Sequence, residues 1–304
     1  SLTKDHPSPQ PLGNPGLIFP HQLEVFQSFL TTAQAFAKEN WWALPVTPRW
    51  HVLVIGATGT GKSHLVHALG KSLSWPVYSV FATRWVIAAG RGKETWTEIA
   101  KWLCKQEGKC IIFLDEIDKI QGEDTWSRHL RTEVLQIFDR NLPLEIEIDD
   151  SDSEQSKSGL WAKARKVLMC DTLILSAGAF QSLWDHRPKA LGFGEQSSVE
   201  NTPSQLELKS VLPAELINRF GKILHLPPLS EMDYVAMIRR TATTLPGEIR
   251  DKFLKHAEKH LAAAIRDGLG SRFMEECVTA ALLHPAEEQC PQKTAVSRRR
   301  PISP

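Results

Sequence analysis

The shortages in this chain narrow its identity before any motif does. Only five of its 304 residues are cysteine (Cys104, Cys110, Cys170, Cys277 and Cys290), and no two form a CxxC pair. A scattered, odd set of thiols fits neither a disulfide framework nor a zinc module, and it points to a reducing compartment. Charge of one sign is also lacking. Lys plus Arg is 36 and Asp plus Glu is 35, a net of +1, so there is no overall basic field and any nucleic-acid surface must be a local patch. No apolar run reaches the roughly 18 to 20 residues that cross a bilayer, and no secretory signal is recognisable. These absences predict no membrane partner and a cytoplasmic location. The chain opens on Ser1 rather than Met, as a trimmed or tagged start would. Apolar content (42%) and charged content (23%) are ordinary, which excludes a mainly disordered protein. The length predicts two compact units with enough core to need no staple.

Residues 1–16 are rich in proline and poor in apolar side chains, and they read as a flexible arm. From Phe19 to Trp42 the apolar positions Leu23, Phe26, Phe29, Leu30, Ala33 and Phe36 recur at helical spacing, and Pro45 and Pro48 end the segment. Short apolar runs then alternate with helical stretches: His51–Ile55, Pro76–Phe81, Cys110–Leu114 and Thr172–Leu175. Continuous apolar runs separated by helices predict an α/β fold, a buried parallel sheet with helices on both faces. Strand signals stop near Ser230, and three helical stretches follow at 231–245, 247–267 and 271–284. The expected division is an α/β nucleotide-binding domain over 17–228, a small helical domain over 229–290 and a basic tail over 291–304. No internal repeat is visible.

The segment Gly56-Ala57-Thr58-Gly59-Thr60-Gly61-Lys62-Ser63 matches GxxxxGK[ST] in full, after an apolar strand and before the helical run that His64 opens. Glycines let successive backbone N–H groups point at an anion, and the following helix adds the positive end of its dipole. Lys62 supplies a point charge to the β- and γ-phosphates of ATP, and Ser63 offers a hydroxyl to Mg²⁺. His64 is counted with the nucleotide-binding positions. A second element, Cys110–Glu116, is a hydrophobic strand ending in two carboxylates. Asp115 is the expected Mg²⁺ partner, and Glu116 the group that orients or deprotonates the attacking water.

With those motifs in order, the chain resembles AAA+ ATPases, and it is similar to the ClpX/HslU-like members of the Clp/Hsp100 branch. Leu114–Ile120 resembles their DEIDKI acidic motif. Ile174–Gln181 resembles the sensor-1 strand and its GAF continuation, Glu215–Phe220 the arginine-finger box, and Gly270-Ser271-Arg272 the sensor-2 segment. The resemblance implies a P-loop NTPase sheet followed by a helical lid, with ATP cleaved between subunits of a homo-oligomer, a ring or a helix and most simply a hexamer. It implies remodelling or unfolding of a macromolecule as the work done; a nucleic-acid-acting loader, transposition regulator or defence component, or a nucleotide-gated scaffold that switches a partner protein, is the alternative. It implies that Arg219 acts on a neighbour's γ-phosphate; a surface or structural ion pair is the alternative role. Arg272 would touch the phosphates of its own subunit, Ser176 is the nearest candidate for sensor 1, and Ile18 and Phe19 would lie near the adenine.

The chain also departs from those relatives. The gripping pore loop of the form GYVG falls on Ala89–Glu94, where Gly90 and Arg91 replace the aromatic pair and Lys93 follows. Two cations repeated round a ring favour an acidic segment or a polyanion, so the macromolecular substrate is left open between protein and nucleic acid; a solvated loop is the plain alternative. Trp85 and Trp96 flank that loop at a spacing typical of core. Leu144–Asp149 alternates like an edge strand and leads through an acidic turn toward Lys163, Arg165 and Lys166, which reads as a charged hairpin. Leu191-Gly192-Phe193 stands where a peptidase-docking tripeptide is found, so a peptidase or other effector is a further expected partner, with a packed loop as the alternative.

Overall fold

In the computed structural model the residues described are 17–38, 41–87, 95–122, 124–142, 154–185 and 203–283. Five parallel strands form the sheet: β1 (Val52–Gly56), β2 (Val77–Phe81), β3 (Cys110–Asp115), β4 (Thr172–Gly178) and β5 (Lys222–Leu226). Their spatial order is β2-β3-β4-β1-β5, with Ile55 opposite Gly178 on one side and His225 on the other. β1, β3 and β4 are buried along their whole length, which is why they read as unbroken apolar runs.

Alternate residues of each strand feed two cores. Val52, Val54, Ile111, Phe113, Leu173 and Leu175 pack under α1 (Leu23–Ala37) and α2 (Lys62–Leu73). Leu53, Ile55, Ile112, Leu114 and Ile174 pack under α3 (Thr95–Cys104), α4 (Thr125–Phe138) and α5 (Glu154–Cys170). Trp85 and Trp96 are in this second core. Three short helices follow on the same side: α6 (Gln181–Asp185), α7 (Gln205–Val211) and α8 (Ala214–Ile217). The lid is α9 (Glu231–Ala242), α10 (Gly247–Arg266) and α11 (Arg272–Leu283), which bury their own cluster of Tyr234, Met237, Phe253, Phe273 and Cys277. Ser230 caps α9 by accepting from Asp233 N (3.2 Å), the capping that ends the strand region and starts the helical one.

Three expectations are corrected. The edge strand β5 was not foreseen, because Lys222 and His225 break the apolar run. Lys163, Arg165 and Lys166 are not the return of a hairpin: they lie on α5, whose Ala164, Val167 and Leu168 face the core while those three cations face solvent. The spacing is that of an amphipathic helix; Leu144–Asp149 is outside the described residues. Leu23, expected on the packed face of the first helix, is exposed, and the helix buries Val25, Phe26, Phe29, Ala33 and Phe36 instead.

His51, just before β1, shows what burial does to a titratable group. Its Nε2 is 2.7 Å from Phe138 O, and desolvation, joined by the positive charge of Arg140, pushes its pKa from 6.5 down to about 3. The unfolded chain takes up that proton near pH 6.5 and the folded chain only near 3. The stability contributed by neutral His51 is therefore complete above pH 6.5 and is lost as pH falls toward 3, at roughly 1.4 kcal/mol per pH unit. In urea unfolding at pH 7, 6 and 5, His51→Gln is expected to flatten that slope; an unchanged slope would contradict the assignment.

Candidate nucleotide site

The phosphate loop leaves the end of β1 and turns into α2. Gly59 and Gly61 have φ of +82° and +84°, values that glycine adopts without strain. Loop and lid touch directly. Ser271 N donates to Gly59 O (2.8 Å), and the Tyr234 hydroxyl accepts from Gly270 N (2.7 Å). Gly270 has φ +63°, and a Cβ there would collide with the carbonyl of Gly59. Gly270→Ala is therefore expected to cost about 1–2 kcal/mol from backbone strain alone and to weaken nucleotide binding about ten-fold, as titration of a fluorescent ATP analogue would read.

The polar groups converge beside Lys62. Its Nζ donates to Gly56 O (2.7 Å) and Ala57 O (3.1 Å). Burial lowers the Lys62 pKa, while the charges of Asp115 and Asp118 oppose that shift and Arg272 reinforces it. Ser63 Oγ donates to Asp115 Oδ2 (2.5 Å), and Asp115 Oδ1 accepts from Glu116 N (2.8 Å). Glu116 sits in the left-handed region (φ 59°), and its Oε2 accepts from Thr83 Oγ1 (2.5 Å). Thus Lys62, Ser63, Asp115 and Glu116 are gathered at the carboxyl edge of the sheet, the edge where open α/β sheets bind ligands. The hydroxyl of Ser63 and the carboxylate of Asp115 form an oxygen pair that suits a hard cation such as Mg²⁺.

The N-terminal segment closes one side. Gln22, fully buried, donates from Nε2 to Thr60 O (3.0 Å) and accepts from Phe19 N (3.1 Å). His64 Nε2 is 2.8 Å from Leu17 O, and His21 Nε2 is 3.2 Å from Thr60 O. Ile18 joins the α1–α2 core and Phe19 the lid cluster, so this dipeptide bridges the two parts beside the phosphate loop. Arg272 begins α11, next to the Ser271–Gly59 contact.

Ser176 does not reach this edge. The strand was expected to end at Leu175, but β4 runs on to Gly178, so Ser176 lies inside it, level with Leu53 and Leu114. It is fully buried, and its hydroxyl has no hydrogen-bond partner among the described residues. The group that does stand at the end of β4 is Asp118, whose Oδ1 accepts from Ala179 N (3.0 Å). Asp118, Gln22 and Thr83 went unassigned in the sequence. Asp118 carried a signal, because it lies within the acidic motif; Gln22 and Thr83 carried none.

Arg219 lies at the other edge. It follows α8 and precedes β5, and Gly221 N donates to His51 O (2.9 Å) where β5 and β1 begin. β1, with its five residues, separates that point from the phosphate loop, a rise of roughly 16 Å, farther than an arginine side chain extends. Arg219 Nε and Nη2 donate to Asp139 Oδ1 and Oδ2 (2.8 Å each), and Nη1 donates to Glu215 O (2.9 Å). The bonds to Asp139 raise its pKa. Gly90, Arg91, Lys93, Leu191, Gly192 and Phe193 lie outside the described residues.

A strand, a glycine-rich loop opening a helix, and an acidic pair at the end of β3, one strand beyond β1's neighbour β4, define a P-loop nucleoside triphosphatase. Comparison makes the class particular: residues 52–155 match the profile of the ATPase family associated with various cellular activities (AAA). The likeness of residues 52–155 to that family agrees with the site geometry, and the chemistry it goes with is ATP hydrolysis. A proteasome-activating nucleotidase from Methanococcus vannielii is 29% identical over 166 residues, covering 53% of this chain and 37% of that protein. The ATP-dependent zinc metalloprotease FtsH from Thermobaculum terrenum is 31% identical over 136 residues, 42% of this chain and 20% of the other. The chain thus spans well under half the length of either relative. Among the described residues no helix is long and apolar enough to cross a membrane.

Proposed function

We propose that this chain is a ClpX/HslU-like ATPase that assembles into a ring, six copies being the simplest closure, and spends ATP on remodelling or unfolding a macromolecule. The observation that carries the reading is the separation of Lys62 from Arg219 along β1: the phosphate loop and the arginine occupy opposite edges of one sheet. A site that needs both must be made of two copies. Lys62 and the loop amides bind the triphosphate; Ser63 and Asp115 would hold Mg²⁺, whose chemistry there would be to offset phosphate charge. Glu116 takes the proton of the attacking water, and Arg219 of the next copy stabilises charge on the γ-phosphate. Arg272 reports the phosphates to the lid. Asp118, rather than Ser176, is the polar group at the end of β4.

The substrate is protein on this reading. Support comes from the two relatives, one described as activating a proteasome and the other as an ATP-dependent protease. Arg91 and Lys93 would grip an acidic or unstructured segment, and Leu191–Phe193 would engage a peptidase or similar effector. Val86 and Thr95, which flank that stretch of sequence, bond to each other: Thr95 N donates to Val86 O (3.0 Å) and Val86 N to Thr95 Oγ1 (2.8 Å). The test is ATP-driven loss of fluorescence from a folded reporter carrying an acidic unstructured tag. Unfolding is the expected result. No unfolding, together with ATPase stimulated by DNA or RNA in a salt-dependent way, would overturn it in favour of a nucleic-acid substrate.

A further inference from the structure

Asp139, the partner of Arg219 within its own chain, has no role in the site as described so far by its geometry. A guanidinium offers five N–H donors along its edges. Asp139 takes the side edge, Nε and Nη2, and Glu215 O takes one hydrogen of Nη1. One hydrogen on Nη1 and one on Nη2 remain uncommitted by those bonds. The one on Nη2 lies on the end of the group, the edge from which a phosphate is gripped.

Both members of the pair are held by core neighbours. Asp139 ends α4 directly after Phe138, and Arg219 directly precedes Phe220; the two rings meet edge to face with centroids 5.1 Å apart. On the far side of Asp139, the half-buried Arg140 donates from Nη1 to Leu168 O (2.8 Å) and Thr172 O (2.7 Å), which fixes the end of α4 to the start of β4. The pair itself is half open to water, and such exposed pairs add only about 0–1 kcal/mol to stability. Its geometry therefore matters more for orientation than for holding the fold together.

We propose that Asp139 is a positioning residue for ATP hydrolysis: it holds the side edge of Arg219 so that the end of the guanidinium is aimed, before assembly, at the triphosphate of the neighbouring copy. This rests on the proposed role of Arg219 in trans. An arginine steered by a fixed carboxylate does not have to lose its rotamer freedom when the neighbour docks.

The test uses the full chain. Asp139→Ala is expected to lower kcat about ten-fold with KM for ATP and the melting temperature nearly unchanged, and Asp139→Glu to recover part of the loss. Mixing then separates the two claims. Arg219→Ala subunits supplemented with Glu116→Gln subunits should regain hydrolysis, because the second supply the arginine to intact pockets of the first. Building Asp139→Ala into the Glu116→Gln subunits should cut that regain about ten-fold. If the first mixture regains nothing, the reading of Arg219 fails and the role of Asp139 falls with it. If it regains activity and Asp139→Ala makes no difference, or raises the rate as release of a sequestered arginine would, Asp139 does not position it and the reading of Arg219 stands.

Discussion

Glutamine in place of Glu116 is expected to stop ATP turnover, by a factor of about 10² to 10⁴, while leaving ATP bound. The side chains are nearly the same shape, and an amide oxygen can still accept from Thr83 Oγ1 as Glu116 Oε2 does. The unusual backbone of Glu116, fixed by its N–H on Asp115 Oδ1, does not depend on the charge. What the amide loses is basicity, so no group takes the proton of the attacking water. Retention of ATP on a filter, with single-turnover phosphate release abolished, checks the result. Because Lys62 and the loop amides are untouched, a variant that fails to retain ATP would contradict the role given to Glu116. Asp115→Asn should behave differently: its single oxygen can accept from only one of Ser63 Oγ and Glu116 N, and the negative charge that suits a hard cation is gone, so loss of Mg²⁺-dependent affinity is expected alongside loss of turnover.

How much of this was legible in the sequence depends on whether a residue's role is local. Gly56–Ser63 and Cys110–Glu116 are legible because strand, turn and helix signals adjoin them, β1, β3 and β4 because burial on both faces leaves unbroken apolar runs, and β2, at one edge of the sheet, because Val77, Tyr78, Val80 and Phe81 keep its run apolar. β5 was hidden by its own edge position: only one flank pairs, so Lys222 and His225 are tolerated, and the period-2 signal is diluted. Ser176 was misplaced because β4 runs three residues past Leu175, to Gly178, which moves it from the binding edge into the sheet. The α5 cations were assigned to a strand because an alternating segment precedes them, whereas the burial of Ala164, Val167 and Leu168 has helical spacing. Gln22 against Thr60, Asp118 against Ala179 and Asp139 against Arg219 are 38, 61 and 80 residues apart. No local pattern announces such pairs. The topology creates them, by bringing the N-terminal turn to the phosphate loop and the end of α4 to the start of β5.

Arg219→Ala carries the other large effect, a loss in kcat of about 10³ or more, and it tests the central geometry most directly. The alanine variant also frees Asp139, but the pair it breaks is half exposed and contributes about 0–1 kcal/mol, so the melting temperature should barely move. Nucleotide affinity of the isolated chain should be intact, because the arginine is a full strand length from the phosphate loop of its own copy. For the unaltered protein, the specific rate should rise with protein concentration and then saturate as copies associate; for Arg219→Ala it should stay flat. Arg219→Lys discriminates further. An ammonium has no planar fork, so it cannot keep Asp139 on one edge and present a second edge to phosphate, and it should restore little of the lost rate despite keeping the charge. A lysine variant that turns over at the original rate would show that charge alone suffices and that the fork is dispensable. An unaltered protein whose specific rate is independent of dilution would show that a single copy cleaves ATP, and the two-copy site would have to be abandoned.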